Sequence, residues 1–460
     1  MKPEVDPSTA VSSEVGHDAV ATDAAAATAS KRAHAGVGDV LRLVSRIGIA
    51  KIGRRDTGET VCRWARDLMR RDGASDIEIR VFGRHVELVG DRNHSERVLA
   101  ASPAWGGQSP GKLKTTAMSF LAPGALTIAD GDAWARLRPF NEQVLATGEP
   151  HPFAQAFLDH VREAFARPVA DRDDVEAAMG RAMVGIVMGR ATPGDNVASD
   201  VTRLMDVVQS PLRRKLLGFW YAGLRERLYA ALERRWEASG DRDLTLLGLA
   251  RRSAPESSRR ELLEQVPHWM FTFTGSGTDL LTRTLAVLVA RSNVRRRVVD
   301  EIKATGPLDR AETIERLHYL EACLLETGRL FPPVTRTFHR SATRGTASDD
   351  GKEVVHWFPL LQRDDALGAA VHDFRPDRWL GEELDPAAAA SNLFLRGPRV
   401  CPGKNLILFV CKAAIARQVG ELGLGGPMNG GSRASRLAHD PLPVSFPEGE
   451  AQFTASEASR

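Results

Sequence analysis

The chain has 460 residues, of which 43% are hydrophobic and 26% charged, an ordinary composition for a soluble globular protein. Its formal net charge of +3 is too small to indicate a nucleic acid as partner. The four scattered cysteines form no C-x-x-C pair, which argues against a zinc cluster or a disulfide framework and indicates a reducing compartment.

The N-terminal residues 1–36 are rich in alanine, serine and aspartate, and we expect a disordered tail ahead of a single domain over 37–460. They lack the basic start and continuous apolar segment of a secretory signal. No run of about 18 apolar residues occurs anywhere, so we expect no transmembrane helix and a cytoplasmic protein.

The first periodic segments predict helices and one hairpin. Helical spacing begins near Val37 and returns over 59–71, and apolar and polar residues then alternate over 77–89, which predicts a β-hairpin. The stretch 103–130 contains several glycines and prolines, so we expect an irregular loop there.

The next predicted helix begins at Gly131, with Asp132 as a candidate N-cap. Trp134 and Arg138 are four residues apart and therefore share one face of this helix. On their own they are equally typical of a core tryptophan beside a surface arginine.

Residues 151–236 have an almost entirely helical pattern and are markedly basic. A solvated helix face is the simplest explanation, and a docking surface for an acidic redox partner is the alternative. The basic residues are Arg213, Arg214, Lys215, Arg225, Arg227, Arg234 and Arg235.

The longest apolar-periodic run, over 261–291, predicts a long central helix. Its middle contains Thr274, Gly275, Gly277 and Thr278. Each glycine inside a helix costs about 1 kcal/mol relative to alanine, so this interruption indicates a packing or functional reason.

A later predicted helix, over 317–331, carries Glu326 and Arg329 on one face. An isolated pair with this spacing is usually a surface ion pair that contributes little stability. A strand-like segment follows over 334–338.

Near the C-terminus, a glycine- and proline-rich loop from Phe394 to Gly403 presents Cys401 directly before an apolar run with helical spacing. A cysteine at a helix N-terminus meets backbone N–H groups and the positive end of the helix dipole, which favour the thiolate. Such a thiolate can ligate a metal or act as a nucleophile, although most cysteines are simply small buried residues. Arg399 adds a cation two residues earlier, and Gly397 lets the backbone pass close to a flat group.

This loop has the pattern F-x-x-G-x-R-x-C-x-G without a mismatch, and it resembles the heme-ligating signature of the cytochrome P450 family. Three further motifs of that family precede it in the family's order: W-x-x-x-R, T-G-S-G-T and E-x-x-R. The resemblance covers roughly residues 40–450. It implies a mainly α-helical fold with a small β-rich region and heme b buried between the long central helix and the cysteine loop.

The resemblance also implies the residues that hold this heme. Cys401 would be the axial ligand of the iron, with Phe394 packed near its sulfur, and thiolate ligation favours cleavage of an O–O bond. The heme propionates would be bound by Trp134, Arg138, Arg399 and Arg340, with His339 as an off-by-one alternative to Arg340.

On the opposite side of the heme, Thr274 and Gly275 correspond to the small pair of the family's oxygen-binding motif. Thr278 corresponds to its threonine, which orients the bound oxygen. In the same way, Glu326 and Arg329 would form a buried structural pair, joined by Arg378 from a later loop.

One position departs from the family pattern, because Gly277 stands where the family has an acid that relays protons. Asp279 is the nearest carboxylate, but its position in the helix turns it away from Thr278. Either water and substrate groups supply the protons, or the reaction needs no such relay, or Gly277 is neutral drift around unchanged chemistry.

The leading hypothesis is a soluble, monomeric monooxygenase of the bacterial type. It would oxidise a small organic substrate with O2 and electrons from a ferredoxin-type partner. The Ala- and Arg-rich composition resembles actinobacterial proteins and suggests secondary metabolism. A second hypothesis is a heme-thiolate enzyme that is driven by peroxide, or that opens an N–O or O–O bond or transfers a nitrene. A third is a heme protein that only senses or carries a ligand, against which Thr278 argues.

Overall fold

A computed structural model of the chain describes residues 31–52, 56–81, 84–100, 108–189, 196–209, 211–253, 258–341, 353–425 and 435–453. Strand β1, Arg32–Ala35, pairs with a later strand. Regular structure therefore begins inside the segment predicted to be a tail, while residues 1–30 lie outside the described residues.

The first half of the chain, as far as the structure describes it, contains helices α1 to α10. They are α1 (Val37–Ile52), α2 (Thr57–Asp72), α3 (Arg92–Ala100), α4 (Lys112–Leu121), α5 (Gly131–Leu145), α6 (Ala154–Ala164), α7 (Arg172–Met188), α8 (Val197–Gln209), α9 (Pro211–Ala238) and α10 (Leu246–Arg252).

The helices of the second half include the central helix and the helix after the cysteine loop. They are α11 (Arg259–Leu263), α12 (Val266–Thr272), α13 (Thr278–Ala290), α14 (Ser292–Thr305), α15 (Ala311–Glu315), α16 (His318–Leu330), α17 (Phe358–Gln362), α18 (Pro386–Ala389) and α19 (Lys404–Ile415). A π-helical turn, Phe273–Gly277, joins α12 to α13.

Side-chain caps explain several helix boundaries. Asp56 precedes α2 and accepts a hydrogen bond from the N–H of Glu59, and Gly73 ends α2 in the left-handed conformation. Asp171 caps α7 in the same way, by accepting from the N–H groups of Asp173 and Asp174.

The strands form one mixed sheet in the order β1-β2-β3-β6-β5-β4. The remaining strands are β2 (Asp76–Val81), β3 (Arg84–Val89), β4 (Gln108–Pro110), β5 (Arg336–Ser341) and β6 (Glu353–Trp357). β2 and β3 pair in antiparallel fashion, which confirms the predicted hairpin, and β5 pairs with β6 and β4. The mainly α-helical fold with a small sheet is thus confirmed.

The predicted loop over 103–130 is wrong in part, because α4 forms inside it. Tertiary contacts stabilise this short helix, since its C-terminal carbonyl groups accept hydrogen bonds from α9. Arg225 donates to the carbonyl oxygen of Phe120 at 3.2 Å, and the Tyr229 hydroxyl donates to that of Leu121 at 3.1 Å.

The Glu-Arg-Arg cluster is buried as the resemblance implied. Glu326 and Arg329 are both 0% exposed in their side chains and form a bidentate ion pair at 2.7 and 2.8 Å. Arg378 approaches the same carboxylate at 3.3 Å and also binds Asp385 with both oxygens at 2.9 Å. Every charge in this cluster has an opposite charge beside it.

Candidate active site

The cysteine loop folds back on itself so that Cys401 follows a tight turn. The N–H of Cys401 donates to the carbonyl oxygen of Phe394 at 2.8 Å, and α19 begins three residues after Cys401. Gly397 has a φ of +64°, and a side chain there would collide with the carbonyl oxygen of Leu99 at the end of α3. Gly397 is therefore required for packing against α3, which the sequence-based explanation did not foresee.

Cys401 is only partly buried in the described structure. Burial raises its pKa, against the helix-end effect expected from the sequence. The backbone N–H of Gly403 hydrogen-bonds the sulfur, and this contact, with the charges of Arg138 and Lys404, opposes the rise. A metal bound to the sulfur would deprotonate it outright.

Three of the predicted propionate-binding residues come together beside this loop. The Arg399 guanidinium lies 5.9 Å from the ring centroid of Trp134, and Arg138 donates to the carbonyl oxygen of Val400 at 2.6 Å. Arg399 also donates to the carbonyl oxygen of Ala129 at 2.9 Å. Burial lowers the pKa of Arg399 to about 10, and the nearby Arg138 adds to this effect.

Two residues of β5, His339 and Arg340, are candidates to bind a heme propionate. The structure describes only the side chain of His339, because that of Arg340 lies outside the described part of the chain. His339 is 2% exposed, and its Nδ1 has no hydrogen-bond partner among the described residues. Burial lowers the pKa of His339 to about 2, and electrostatic interactions with His356, Lys114 and Arg399 act in the same direction. The ring of His339 therefore lies within electrostatic reach of Arg399.

The central helix is interrupted where the glycines and threonines occur. The π-helical turn contains Thr274 and Gly275, and Thr278 begins α13 directly after it. The Thr274 hydroxyl donates to the carbonyl oxygen of Met270 at 3.1 Å. The hydroxyl of Thr278, which is 0% exposed, donates to that of Phe273 at 3.4 Å. Both oxygens thus keep lone pairs that can accept a further hydrogen bond.

Gly277 faces α19 across a close contact. A methyl group built on Gly277 would lie 2.8 Å from Cδ1 of Ile407 and 3.2 Å from the carbonyl oxygen of Thr272. Because real side chains do not approach so closely, an acid at this position would require Ile407 to move. Packing against Ile407 is therefore a physical reason for the glycine.

The neighbouring carboxylate is held elsewhere. Asp279 forms ion pairs with Arg172 of α7 and with Arg283 one turn later, each at 3.2 Å. These two contacts direct it away from Thr278, as the helix geometry predicted. The hydroxyl of Ser276 donates to the carbonyl oxygen of Thr272 at 3.1 Å.

Sequence reasoning missed two basic residues near this region, Lys114 of α4 and His268 of α12. Burial and the charge of Arg399 lower the pKa of Lys114, and burial and the charge of Lys114 lower the pKa of His268. Lys114 therefore lies within electrostatic reach of both Arg399 and His268. No local motif marks either residue. Only their inward-facing positions on amphipathic helices could have indicated them.

Residues 200–417 match the family model described as Cytochrome P450. This match supports the resemblance of the chain to the cytochrome P450 family. The matched segment includes the central helix, the Glu-Arg-Arg cluster and the cysteine loop, so it covers the motifs on which the resemblance depended, apart from W-x-x-x-R.

Several curated proteins, two of them named as cytochromes P450, are similar to this chain. Cytochrome P450 71A12 of Arabidopsis thaliana is 30% identical over 160 residues, 32% of each chain. Cytochrome P450 monooxygenase 1 of Neocamarosporium betae is 29% identical over 203 residues, 42% of each chain. Indoleacetaldoxime dehydratase of Arabidopsis thaliana is 29% identical over 160 residues, 32% of each.

The alignments span about a third to two fifths of these P450 relatives. The relatives come from plants and a fungus, so they do not support the bacterial type predicted from the sequence. Among the described residues of this chain, no helix has the length and apolar character needed to cross a membrane.

The P450 family binds heme b through its iron, and the residues at this site fit such a group. The donor set is cationic or N–H bearing, which suits the two carboxylates of a heme, and His339 Nδ1 is a buried donor or acceptor in need of a partner. Cys401 is only partly buried, so its side chain is not fully enclosed by the protein. The individual roles of these residues remain predictions.

Proposed function

We propose that the protein is a heme-thiolate monooxygenase, which inserts one oxygen atom from O2 into a small organic substrate. The observation that carries this proposal is Cys401, a partly buried cysteine on a loop that ends just before the start of α19. When bound to a thiolate, heme supplies the activation of O2.

The protein's own residues would stabilise the thiolate and orient the ligand. The Gly403 N–H and the charges of Arg138 and Lys404 favour the negative charge on the sulfur. On the opposite wall, the Thr278 oxygen is held by its bond to Phe273 and can accept or exchange a hydrogen bond with a ligand. Because this hydroxyl is held in place, it would orient the ligand, and bound water would be confined to sites next to α13.

The heme carboxylates would be bound by Trp134, Arg138, Arg399 and His339, an assignment that the Arg399–Trp134 contact supports. Guanidinium groups suit carboxylates because they donate two parallel hydrogen bonds. Arg340 stays a candidate from the sequence.

The spectrum of the reduced protein with carbon monoxide tests the cofactor. We expect the red-shifted Soret band of a thiolate-ligated heme, and its loss in Cys401→Ala. Retention of that band in Cys401→Ala would refute the assignment of the ligand. Incorporation of label from ¹⁸O₂ into the product tests the reaction, and unlabelled product would refute oxygen insertion.

A second candidate is a heme-thiolate enzyme that does not use the usual activation of O2. It is favoured by the packing of Gly277 against Ile407 and by the pairing of Asp279 with Arg172, which leave no carboxylate directed at Thr278 from these positions. One relative is named a dehydratase, and a dehydration consumes no oxygen. Turnover of the substrate without O2 and reductant would support this candidate and refute the first.

The remaining parts of the proposal concern partners and setting. We propose a ferredoxin-type electron donor, a monomeric state, a cytoplasmic location and a substrate from secondary metabolism. Two relatives have names beginning with cytochrome P450, and one of these is named a monooxygenase, which supports oxidation in general. Reduction of the heme by a purified ferredoxin, against a flavodoxin control, would test the donor.

A further inference from the structure

Two buried histidines, His339 of β5 and His356 of β6, lie side by side on one face of the sheet. β5 and β6 are antiparallel with Thr337 opposite His356, and His339 follows Thr337 by two residues, so both rings project from the same face. The opposite face packs Phe338 and Val355 into a hydrophobic cluster. His339 is 2% exposed and His356 is 0% exposed, so both rings are enclosed by the protein.

The two imidazole rings are in contact, edge to face. Their centroids are 5.4 Å apart and their planes cross at 72°. Each ring has one buried nitrogen, Nδ1 of His339 and Nε2 of His356, that makes no hydrogen bond among the described residues. Buried polar atoms rarely stay without a partner, because an unmade hydrogen bond costs free energy. The contact between the rings makes each of these nitrogens a candidate partner for the other.

Both rings are neutral at pH 7. Burial lowers the pKa of His339 to about 2, and the neighbouring His356, Lys114 and Arg399 act in the same direction. Burial likewise lowers the pKa of His356 to about 4. A neutral imidazole has one N–H donor and one acceptor nitrogen, so the position of its proton decides what each edge of the ring can bind.

The second nitrogen of His356 is bound by Ser95 of α3. The hydroxyl of Ser95, which is 1% exposed, lies 2.8 Å from Nδ1 of His356. If Nδ1 donated to this hydroxyl, the serine proton and the Nε2 lone pair would both lack a partner among the described residues. If Ser95 donates instead, only the Nε2–H of His356 remains to be paired. The second arrangement leaves fewer unpaired groups, so we assign the proton of His356 to Nε2.

We propose that Ser95, His356 and His339 form a hydrogen-bond relay, which fixes His339 as an N–H donor toward a heme carboxylate. In this relay Ser95 donates to Nδ1 of His356, and the Nε2–H of His356 donates to Nδ1 of His339. The proton of His339 is then held on Nε2, where it is left for the carboxylate. The inference rests on the proposed binding of heme by His339. Ser95 and His356 are positioning residues, because they act through His339.

The separation of the rings suits this bond after a small rotation. Two imidazoles joined by an N–H···N bond of about 2.9 Å have their centres about 5 Å apart. The observed 5.4 Å is close to that separation. Nδ1 of His339 is enclosed by protein, which leaves Nε2, on the other edge of the ring, as the nitrogen that can reach a heme carboxylate. A metal cation between the rings is disfavoured, because Lys114 and Arg399 lie within electrostatic reach of His339.

The first test reads the proton positions in the purified heme-loaded protein. In NMR spectra of the reduced, carbon monoxide-bound protein with ¹⁵N-labelled histidine rings, the nitrogen shifts show which ring nitrogen carries the proton. His339→Gln and His356→Gln assign the resonances. We expect both His339 and His356 to carry the proton on Nε2. A proton on Nδ1 of His339 would overturn the proposal.

The second test follows the transfer of heme to excess apomyoglobin. We expect His339→Leu and His356→Leu each to release heme about two- to tenfold faster, the range for one lost hydrogen bond, and the double variant to release it no faster than His339→Leu. His356→Gln keeps an N–H donor at the place of Nε2 and should stay close to the unmodified rate. The matched control is His94→Gln, which should not change the rate, because His94 shares α3 with Ser95 but bonds Asp76 of β2.

If His356→Leu releases heme at the unmodified rate while His339→Leu accelerates release, His356 has no positioning role and the proposal is overturned. If His339→Leu leaves the rate unchanged, His339 does not bind the heme, which also overturns it. The ligand of the iron is judged separately from these outcomes. Absence of the red-shifted Soret band from the unmodified protein would refute the heme-thiolate function, whereas a normal band beside an unchanged release rate in either leucine variant refutes the relay alone.

Discussion

Two buried clusters of charged side chains differ in how their charges are balanced. In one, Glu326 lies between Arg329 and Arg378, and Asp385 binds the outer guanidinium. In the other, Asp130 lies 3.8 Å from the Arg399 guanidinium, but no carboxylate is among the groups that affect the pKa of the neighbouring Lys114.

The difference indicates what each cluster does. A buried ion pair whose partners are all present holds segments of the chain together, here α16 and the loop that carries Arg378. A buried cation without a partner is costly to the folded protein unless a ligand supplies the opposite charge. The first cluster is structural, and the second is where we expect ligands.

The largest effect is expected from removing the central acid of the balanced cluster. Glu326→Ala would leave Arg329 and Arg378 without their shared counter-charge, and we expect a loss of about 3–5 kcal/mol in the free energy of unfolding. Urea unfolding followed by circular dichroism measures it. Asp377→Ala, which removes an exposed ion pair with Arg297, should cost at most about 1 kcal/mol. Equal effects of the two substitutions would contradict the comparison.

A buried histidine that has both of its partners provides a pH-dependent test. His151 bonds the carbonyl oxygen of Val144 and accepts from the N–H of Phe153, and burial lowers its pKa to about 4. Between pH 6.5 and 4 the unfolded chain binds more protons at this residue than the folded protein does. Stability should therefore fall with falling pH by up to about 1.4 kcal/mol per unit.

Urea unfolding at several pH values measures this dependence. Replacement of His151 by glutamine should make the stability profile flatter between pH 6.5 and 4, since glutamine does not titrate. An unchanged profile would show that protonation of His151 does not contribute to acid unfolding.

A carboxylate introduced at position 277 tests which way this part of the central helix faces. Gly277→Asp should cost about 1–3 kcal/mol, because the new side chain collides with Ile407. The cost should shrink in an Ile407→Ala background, and a double-mutant cycle measures the coupling. Additive effects would show that position 277 does not face α19.

The smallest effect is expected at the unbalanced cluster, and it has the opposite sign. Lys114→Met keeps the volume of the side chain and removes the buried charge, so the substrate-free protein should gain about 1 kcal/mol. The midpoint of urea unfolding at pH 6, where the amine is protonated, measures the gain. A loss of stability comparable to that of Glu326→Ala would show that Lys114 is already paired.

Much of the site could be predicted from short motifs. The cysteine loop, the helix with Trp134 and Arg138, and the pair Glu326–Arg329 each depend on residues a few positions apart, whose relative geometry is set by local backbone structure. The hairpin over 77–89 was predictable for the same reason, since its alternation records which face is buried. In contrast, α4 was missed because its stability depends on contacts with α9.

By itself, the sequence indicated the resemblance to the P450 family, the cysteine predicted to ligate iron and the position at which the family's relay acid is replaced. Tertiary structure alone decided that Gly277 packs against Ile407, that Gly397 packs against the end of α3, and that Arg225 and Tyr229 of α9 bind the last carbonyl groups of α4. These three outcomes depend on contacts between segments far apart in the chain. Local motifs cannot encode such contacts, because they arise only when the helices and the sheet pack together.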